Sequence, residues 1–151
     1  MVDAPGDAVA TRHEKYDELI AAAQKQAAIK VAVAHPCDEA SMRGVAEAMR
    51  LRLIDPILVG PAKRINRAAD EVGFDLGGVE LVDAEHSHAS AAKAVELVRA
   101  GRAEALMKGS LHTDELMGAI VSSASGIRTE RRIIPIPAGR DSVGVFESAI
   151  V

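Results

Sequence analysis

The stretch from Lys108 to Thr113 combines residue types that bind anions. It follows a short apolar run and precedes a segment with helical periodicity. Gly109 would let the backbone approach a ligand closely, while Ser110 and Thr113 offer hydroxyl groups. Lys108 and His112 can supply positive charge or a proton. The free N–H groups of the following helix would point to the same place, so the pattern predicts a site for an oxyanion or phosphate.

The same stretch is also typical of an ordinary strand-to-helix turn. Thr113 would then be the N-cap residue, and the charges of Asp114 and Glu115 would suit the first helical turn. The stretch is not a P-loop, because the second glycine and the Gly-Lys-Ser/Thr order are missing. Helix caps are far commoner than binding sites. The residue pattern alone therefore leaves both interpretations open.

A second reactive segment spans residues 35–39 (HPCDE) and ends another apolar run. His35 and Cys37 suggest a thiol–imidazole pair, but an activated thiolate needs a specific electropositive setting. A structural turn at the end of a strand is the commoner explanation. His86 and His88 have no third ligand at metal-site spacing, so we interpret them as surface or capping residues and predict no metal site.

The charged residues exclude one class of partner and define one further cluster. The chain carries 22 acidic and 18 basic side chains, a net charge of −4, which argues against nucleic-acid binding. Its basic cluster is Arg128, Arg131 and Arg132. This cluster is either a solvated turn or a second anion-binding site.

Composition predicts a soluble cytoplasmic protein that does not contact a membrane. The single cysteine, Cys37, cannot form an internal disulfide, which suits a reducing compartment. No apolar run approaches the ~20 residues of a membrane span. Residues 1–10 lack the pattern of a signal peptide, and we expect them to be disordered. Because aromatic residues make up only 2% of the chain, its core must consist of Ala, Val, Ile and Leu.

Short apolar runs alternate with segments of helical periodicity along the chain. Strands are predicted near residues 30–35, 56–59, 79–82 and 104–107. Helices are predicted near 11–28, after an N-cap at Asp38, after Pro61, near 87–100 and from 113 to about 124. This alternation predicts a three-layer α/β/α fold with a mainly parallel sheet. Ligands bind at the carboxyl ends of such strands, where both reactive segments fall.

The run from Ala105 to Met117 (ALMKGSLHTDELM) resembles the signature of the phosphate acetyl/butyryltransferase family. Residues 126–133 (GIRTERRI) are similar to the stretch that follows this signature. Residues 35–39 and 57–61 (ILVGP) are similar to the family's first two strand ends. The resemblance covers about residues 14 to 133, and it is strongest to the transferase half of bifunctional enoyl-CoA hydratase/phosphate acetyltransferases.

The resemblance implies two domains with a cleft between them, usually in a homodimer. It implies the reaction acyl-CoA plus phosphate giving acyl phosphate plus coenzyme A, without a metal or prosthetic group. Coenzyme A and phosphate are then substrates, not cofactors, and either acetyl or butyryl is compatible. Of the five residues assigned to substrate or phosphate binding, Ser110, His112 and Thr113 would lie at the phosphate or acyl-phosphate end, and Lys108 and Gly109 would shape the loop. Together they would stabilise negative charge.

The resemblance fails after Ile133. The family pattern continues with Ser-His-Val-Phe and another core strand, whereas this chain has Pro135 and Pro137, which cannot both lie in a central strand. We therefore divide the chain into the N-terminal part of an acyltransferase domain (11–133) and an atypical tail (134–151). The fold is expected to be incomplete relative to the two-domain family, and no catalytic acid or base is assigned. We expect weak or absent acyl transfer by this chain alone.

Two other functions are compatible with the residues. The first is a non-catalytic phosphate-binding or interaction domain of the same fold, which differs from the enzyme only in turnover. The second is an unrelated nucleotide-binding α/β domain, which the absence of a Gly-rich dinucleotide motif or P-loop disfavours.

Overall fold

The computed structural model of the chain describes residues 6–127 and two short strands at 135–136 and 148–149. In chain order the elements are α1 (Gly6–Ala23), β1 (Ile29–Ala34), α2 (Glu39–Arg50), β2 (Ile54–Gly60), α3 (Ala62–Val72), β3 (Glu80–Asp83), α4 (Ser87–Arg99), β4 (Ala105–Lys108), α5 (Thr113–Val121), β5 (Pro135–Ile136) and β6 (Ser148–Ala149).

Strands β1 to β4 form one parallel sheet in the order β3-β2-β1-β4. The central strand β1 pairs in parallel with both neighbours, so that Val31 lies opposite Pro56 of β2 and Ala105 of β4. The parallel sheet predicted from four apolar runs is therefore confirmed, and each strand lies within about two residues of its predicted position.

The two faces of the sheet are covered by different helices, because successive side chains of a strand point to opposite faces. Ala32 and Ala34 of β1 pack in one cluster with residues of α4 and α5. Val31 and Val33 pack in the other cluster with residues of α2 and α3. The three-layer α/β/α arrangement is thus confirmed, and its core is aliphatic as the composition required.

Local sequence signals set most helix ends. Asp38 caps α2, where its Oδ1 accepts from the N–H of Ser41 at 2.8 Å. Gly73 ends α3 in the left-handed conformation (φ 67°), as expected for a C-terminal glycine. No helix of the described residues is both long enough and apolar enough to cross a bilayer.

Helix α1 differs most from the prediction. It begins at Gly6, earlier than the predicted start near residue 11, and residues 6–10 are helical. This segment contains no glycine or proline after Gly6, so nothing interrupts helix formation. Tyr16 and Leu19, whose helical spacing would place them on one apolar face, are not buried and are 56% and 70% exposed. Residues 1–5 lie outside the described part.

The tail does not extend the parallel sheet within the described residues. Strands β5 and β6 form a separate antiparallel pair, in which Pro135 lies opposite Ala149. This agrees with the prediction that Pro135 does not occupy a central strand. Pro137 and most of the 134–151 tail lie outside the described residues.

Candidate functional site

The strand order brings the two reactive segments together. Strand β1 has β2 on one side and β4 on the other, so the direction of the chain across the sheet reverses between β1 and β4. Open parallel sheets bind ligands at the carboxyl edge at such a switch point. Segment 35–37 follows β1 and segment 109–112 follows β4, so both predicted segments flank this point.

Backbone hydrogen bonds fix the loop after β4 onto the end of β1. The Gly109 N–H donates to Ala34 O at 2.8 Å. The carbonyl of His35 accepts from the Ser110 N–H and from the Ser110 hydroxyl, both at 2.8 Å. Ser110 Oγ also accepts from the N–H of Cys37 at 3.1 Å. The Ser110 hydroxyl, predicted to meet phosphate, is thus engaged in joining the two strand ends.

The backbone at Gly109 packs so closely against the end of β1 that only glycine fits there. A Cβ atom at this position would lie 2.5 Å from Ala34 O and 2.5 Å from His35 O, which is far inside van der Waals contact. The side chain of Lys108 strengthens the same turn, because its Nζ donates to Leu111 O at 3.0 Å. The glycine and the lysine therefore shape the loop.

The start of α5 is displaced by one residue from the predicted cap. His112 is the N-cap residue, in extended backbone, and Thr113 is the first helical residue, so the assignment of Thr113 as N-cap is wrong. Glu115 fixes His112 as the cap, because Glu115 Oε2 accepts the His112 N–H at 2.9 Å. His112 and Thr113 are both exposed and free to meet a ligand.

Several backbone donors of this loop have no acceptor among the described residues. They are the N–H groups of Leu111, Thr113 and Asp114. The N-terminus of a helix carries partial positive charge, so such donors favour an anion. The loop therefore offers the N–H groups that the sequence pattern predicted.

Glu115 ties the start of α5 to the start of α4. Its Oε1 accepts from the Ser87 hydroxyl at 2.7 Å and lies 2.6 Å from His88 Nδ1. The bond from Ser87, followed by the bond from the His112 N–H, lowers the pKa of Glu115. His86 caps α4 through Nδ1, which accepts from the Ala89 N–H at 3.2 Å.

The interpretation of His86 and His88 as capping and surface residues is thus confirmed. The described residues contain no group of three or more His, Cys, Asp or Glu side chains arranged to hold a metal ion.

The ring of His35 is buried beneath this edge, with 3% of the residue exposed. Its Nδ1 lies 3.0 Å from Ser90 Oγ, and its Nε2 lies 3.4 Å from Arg64 Nη1. Burial, and then the nearby Arg64 charge, lower the pKa of His35 below its usual value of 6.5. The imidazole is therefore neutral at neutral pH.

Cys37 is not an activated nucleophile. Burial raises the pKa of its thiol to about 11, although the Arg64 charge opposes the increase. The His35 ring bonds to Ser90 and Arg64 and does not form the thiol–imidazole pair considered from the sequence. The structural turn is the correct interpretation of this segment. The cluster of Arg128, Arg131 and Arg132 lies outside the described residues.

Two curated relatives identify the family of this chain. A phosphate acetyltransferase from Rhizobium meliloti is 52% identical over 141 residues, which cover 90% of this chain and 45% of the relative. The chain belongs to the phosphate acetyl/butyryltransferase family. A phosphate butyryltransferase from Clostridium acetobutylicum is 31% identical over 135 residues, covering 89% of this chain and 42% of the relative. The chain thus spans less than half the length of the phosphate acetyl/butyryltransferases that it matches.

Solved structures support the same fold. A crystal structure of a phosphotransacetylase from Streptococcus pyogenes matches with a TM-score of 0.59 at 15% identity, covering 70% of this chain and 41% of that chain. No family model matches the sequence. The resemblance drawn from residues 105–117 is nevertheless confirmed by the relatives.

The packing of Gly109 generates a stability prediction. Gly109→Ala should lower the free energy of unfolding by about 1–3 kcal/mol, because the new methyl group must push the loop away from β1. Gly118→Ala is the matched control. It lies in α5 with nothing within 4 Å of the new Cβ, so it should be neutral or stabilising by about 0.5–1 kcal/mol. Urea unfolding followed by circular dichroism measures both, and equal effects would contradict the packing described.

The buried neutral His35 generates a pH prediction. As the pH falls below about 6.5, the unfolded chain takes up a proton that folded His35 resists, so the free energy of unfolding decreases. The ionisable groups that act on the ring are Arg64, Glu115, Asp38 and His86.

His35→Asn removes this titration, and asparagine tolerates the positive φ of the site. The variant is expected to be less stable at pH 7 but to lose less stability between about pH 7 and pH 5. Urea unfolding at both pH values gives the comparison. The same loss in the variant and the wild type would show that His35 does not titrate as described.

Proposed function

We propose that this chain belongs to an acyltransferase that moves an acyl group between coenzyme A and phosphate, with acyl phosphate and free coenzyme A as products. The observation that carries this proposal is the 52% identity to the Rhizobium meliloti phosphate acetyltransferase across 90% of the chain. Because the chain spans 45% of that relative, the activity of the whole enzyme is inferred and not assigned to this part alone.

In this reaction a phosphate oxygen attacks the thioester carbonyl carbon, and the thiolate of coenzyme A leaves. Negative charge develops on the carbonyl oxygen and is already present on the phosphate. Donors that are fixed before the reaction stabilise such charges most effectively. We assign this role to the loop 109–113, whose N–H groups at Leu111 and Thr113 have no acceptor among the described residues.

Each predicted residue of the loop then has a distinct role. Thr113 and His112 are exposed at the start of α5 and would contact the anion directly. Ser110 and Gly109 would act through the placement of the loop, since their bonds go to the end of β1. Lys108 would hold the loop closed and add positive charge. The group that exchanges a proton with the coenzyme A sulfur is assigned to no residue of this chain.

The substrate and assembly follow from the same comparison. Acetyl is the favoured acyl group, because identity to the acetyltransferase is 52% against 31% to the butyryltransferase. Coenzyme A and phosphate are substrates, and no cofactor takes part in the proposed reaction. A homodimer and a cytoplasmic location stay predictions. The alternative of a non-catalytic binding domain is not favoured, because both relatives are named as transferases.

A hybrid enzyme tests the proposal. In the hybrid, this chain replaces the matching segment of the Rhizobium meliloti relative. It should form acetyl phosphate from acetyl-CoA and phosphate, whereas this chain alone should not. Thr113→Val in the hybrid should lower kcat/KM for phosphate about fivefold, the effect of losing one hydrogen bond of about 1 kcal/mol.

Thr113→Ser keeps the hydroxyl and is the matched control, with activity close to that of the unmodified hybrid. A hybrid that unfolds in one cooperative transition and yet makes no acetyl phosphate would refute the proposed function. Equal activity of the valine and serine variants would show that the Thr113 hydroxyl does not contact the substrate.

A further inference from the structure

The Arg64 side chain lies against the buried ring of His35. It lies in the first turn of α3, directly after β2, on the same edge of the sheet as His35. The described residues place no carboxylate within salt-bridge distance of it. Arg99 likewise pairs with no carboxylate there and donates to Ala124 O, whereas four arginines pair with glutamates, namely Arg43, Arg50, Arg67 and Arg102.

The side chain that meets Arg64 is the buried ring of His35, and hydrogen bonds determine its tautomer. The Ser90 hydroxyl donates its proton to His86 O at 2.8 Å, so Ser90 Oγ can only accept from the His35 ring. The ring proton therefore lies on Nδ1. The lone pair on Nε2 faces Arg64 Nη1 at 3.4 Å and accepts from it.

This arrangement orients the guanidinium without neutralising it. A glutamate partner would cancel the charge of Arg64, whereas a neutral imidazole leaves the full positive charge at the carboxyl edge. One of the five guanidinium N–H donors meets His35, and the others are left for a second partner. A guanidinium of this kind suits the bidentate recognition of a phosphoryl group.

The backbone of His35 holds the ring in place. His35 has a φ of 59°, in the left-handed region that costs energy for a residue other than glycine. Such a conformation persists where the surrounding structure fixes it. Here the His35 carbonyl accepts from Cys37 N–H at 2.9 Å and from two donors of Ser110. The residue therefore links the loop after β4 to Arg64 on the other side of β1.

We propose that Arg64 binds a phosphoryl group at this edge, and that His35 and Ser90 are positioning residues that hold its guanidinium there. The inference rests on the proposed function, since it names a further contact for a substrate of that reaction. The phosphoryl group can belong to inorganic or acyl phosphate, or to coenzyme A. Both sources present the same anionic oxygens to the guanidinium.

A proton–nitrogen NMR titration of the full chain tests the proposal, with inorganic phosphate in one series and coenzyme A in another. Phosphate should shift the Arg64 Nε–H signal if the site takes the small anion, and coenzyme A alone should shift it if the site takes the larger substrate. Arg64→Gln should weaken that binding about tenfold or more, as expected for charge-assisted hydrogen bonds. Arg67→Gln is the matched control, because Arg67 lies on α3 and pairs with Glu71 at 3.0 Å. It should leave the affinity unchanged.

The positioning roles have their own readout. Long-range proton–nitrogen correlations of the His35 ring should show the proton on Nδ1 in the wild type. Ser90→Ala removes its acceptor, so the ring should populate both tautomers and phosphoryl binding should weaken. Ser90 is fully buried, so this variant can fail to fold. In that case the tautomer of the wild-type His35 ring tests the assignment by itself. A proton on Nε2 would overturn the assignment.

The outcomes separate this inference from the proposed function. Binding that survives Arg64→Gln overturns the role of Arg64 and leaves the acyl transfer reaction intact. Absence of binding by the wild-type chain to either ligand also overturns it. Conversely, a folded but inactive hybrid together with Arg64-dependent binding would refute the acyltransferase while the phosphoryl site stands.

Discussion

The candidate site depends on one acceptor, the carbonyl oxygen of His35. It receives the N–H and the hydroxyl of Ser110, and it thereby joins the ends of the two strands that flank the switch point. Gly109 permits this contact, because any Cβ there would overlap the carbonyls of Ala34 and His35. The left-handed conformation of His35 turns the same carbonyl toward the loop and its ring toward α4 and α3.

The electrostatics of the edge follow from this junction. The conspicuous charged side chain of the loop, Lys108, bonds to Leu111 O and stabilises the turn. Positive potential at the edge comes from this ammonium group, from Arg64, and from N–H groups of the loop and helix start that have no acceptor among the described residues. The neutral state of His35 is part of this arrangement, since burial and Arg64 both lower its pKa. A protonated ring would have no lone pair to offer the guanidinium.

The sequence predicts the sheet better than the details of the site. Apolar runs such as 30–35 and the caps at Asp38 and Gly73 are local signals, and the structure follows them. The bonds of Ser110 and the role of Arg64 arise from strand register, which brings together residues far apart in sequence. Helix α1 is a case where a local signal misleads. Its apolar residues recur at helical spacing, which predicts a buried face, but Tyr16 and Leu19 are exposed.

Amide hydrogen exchange of the chain tests the junction most directly. The amides of Gly109 and Ser110 should exchange slowly, because they donate to Ala34 O and His35 O. Those of Leu111 and Thr113 should exchange fast in buffer and slow down when phosphate is added. Exchange of Gly109 and Ser110 as fast as that of Leu111, with no effect of phosphate, would contradict a preformed anion site at this edge.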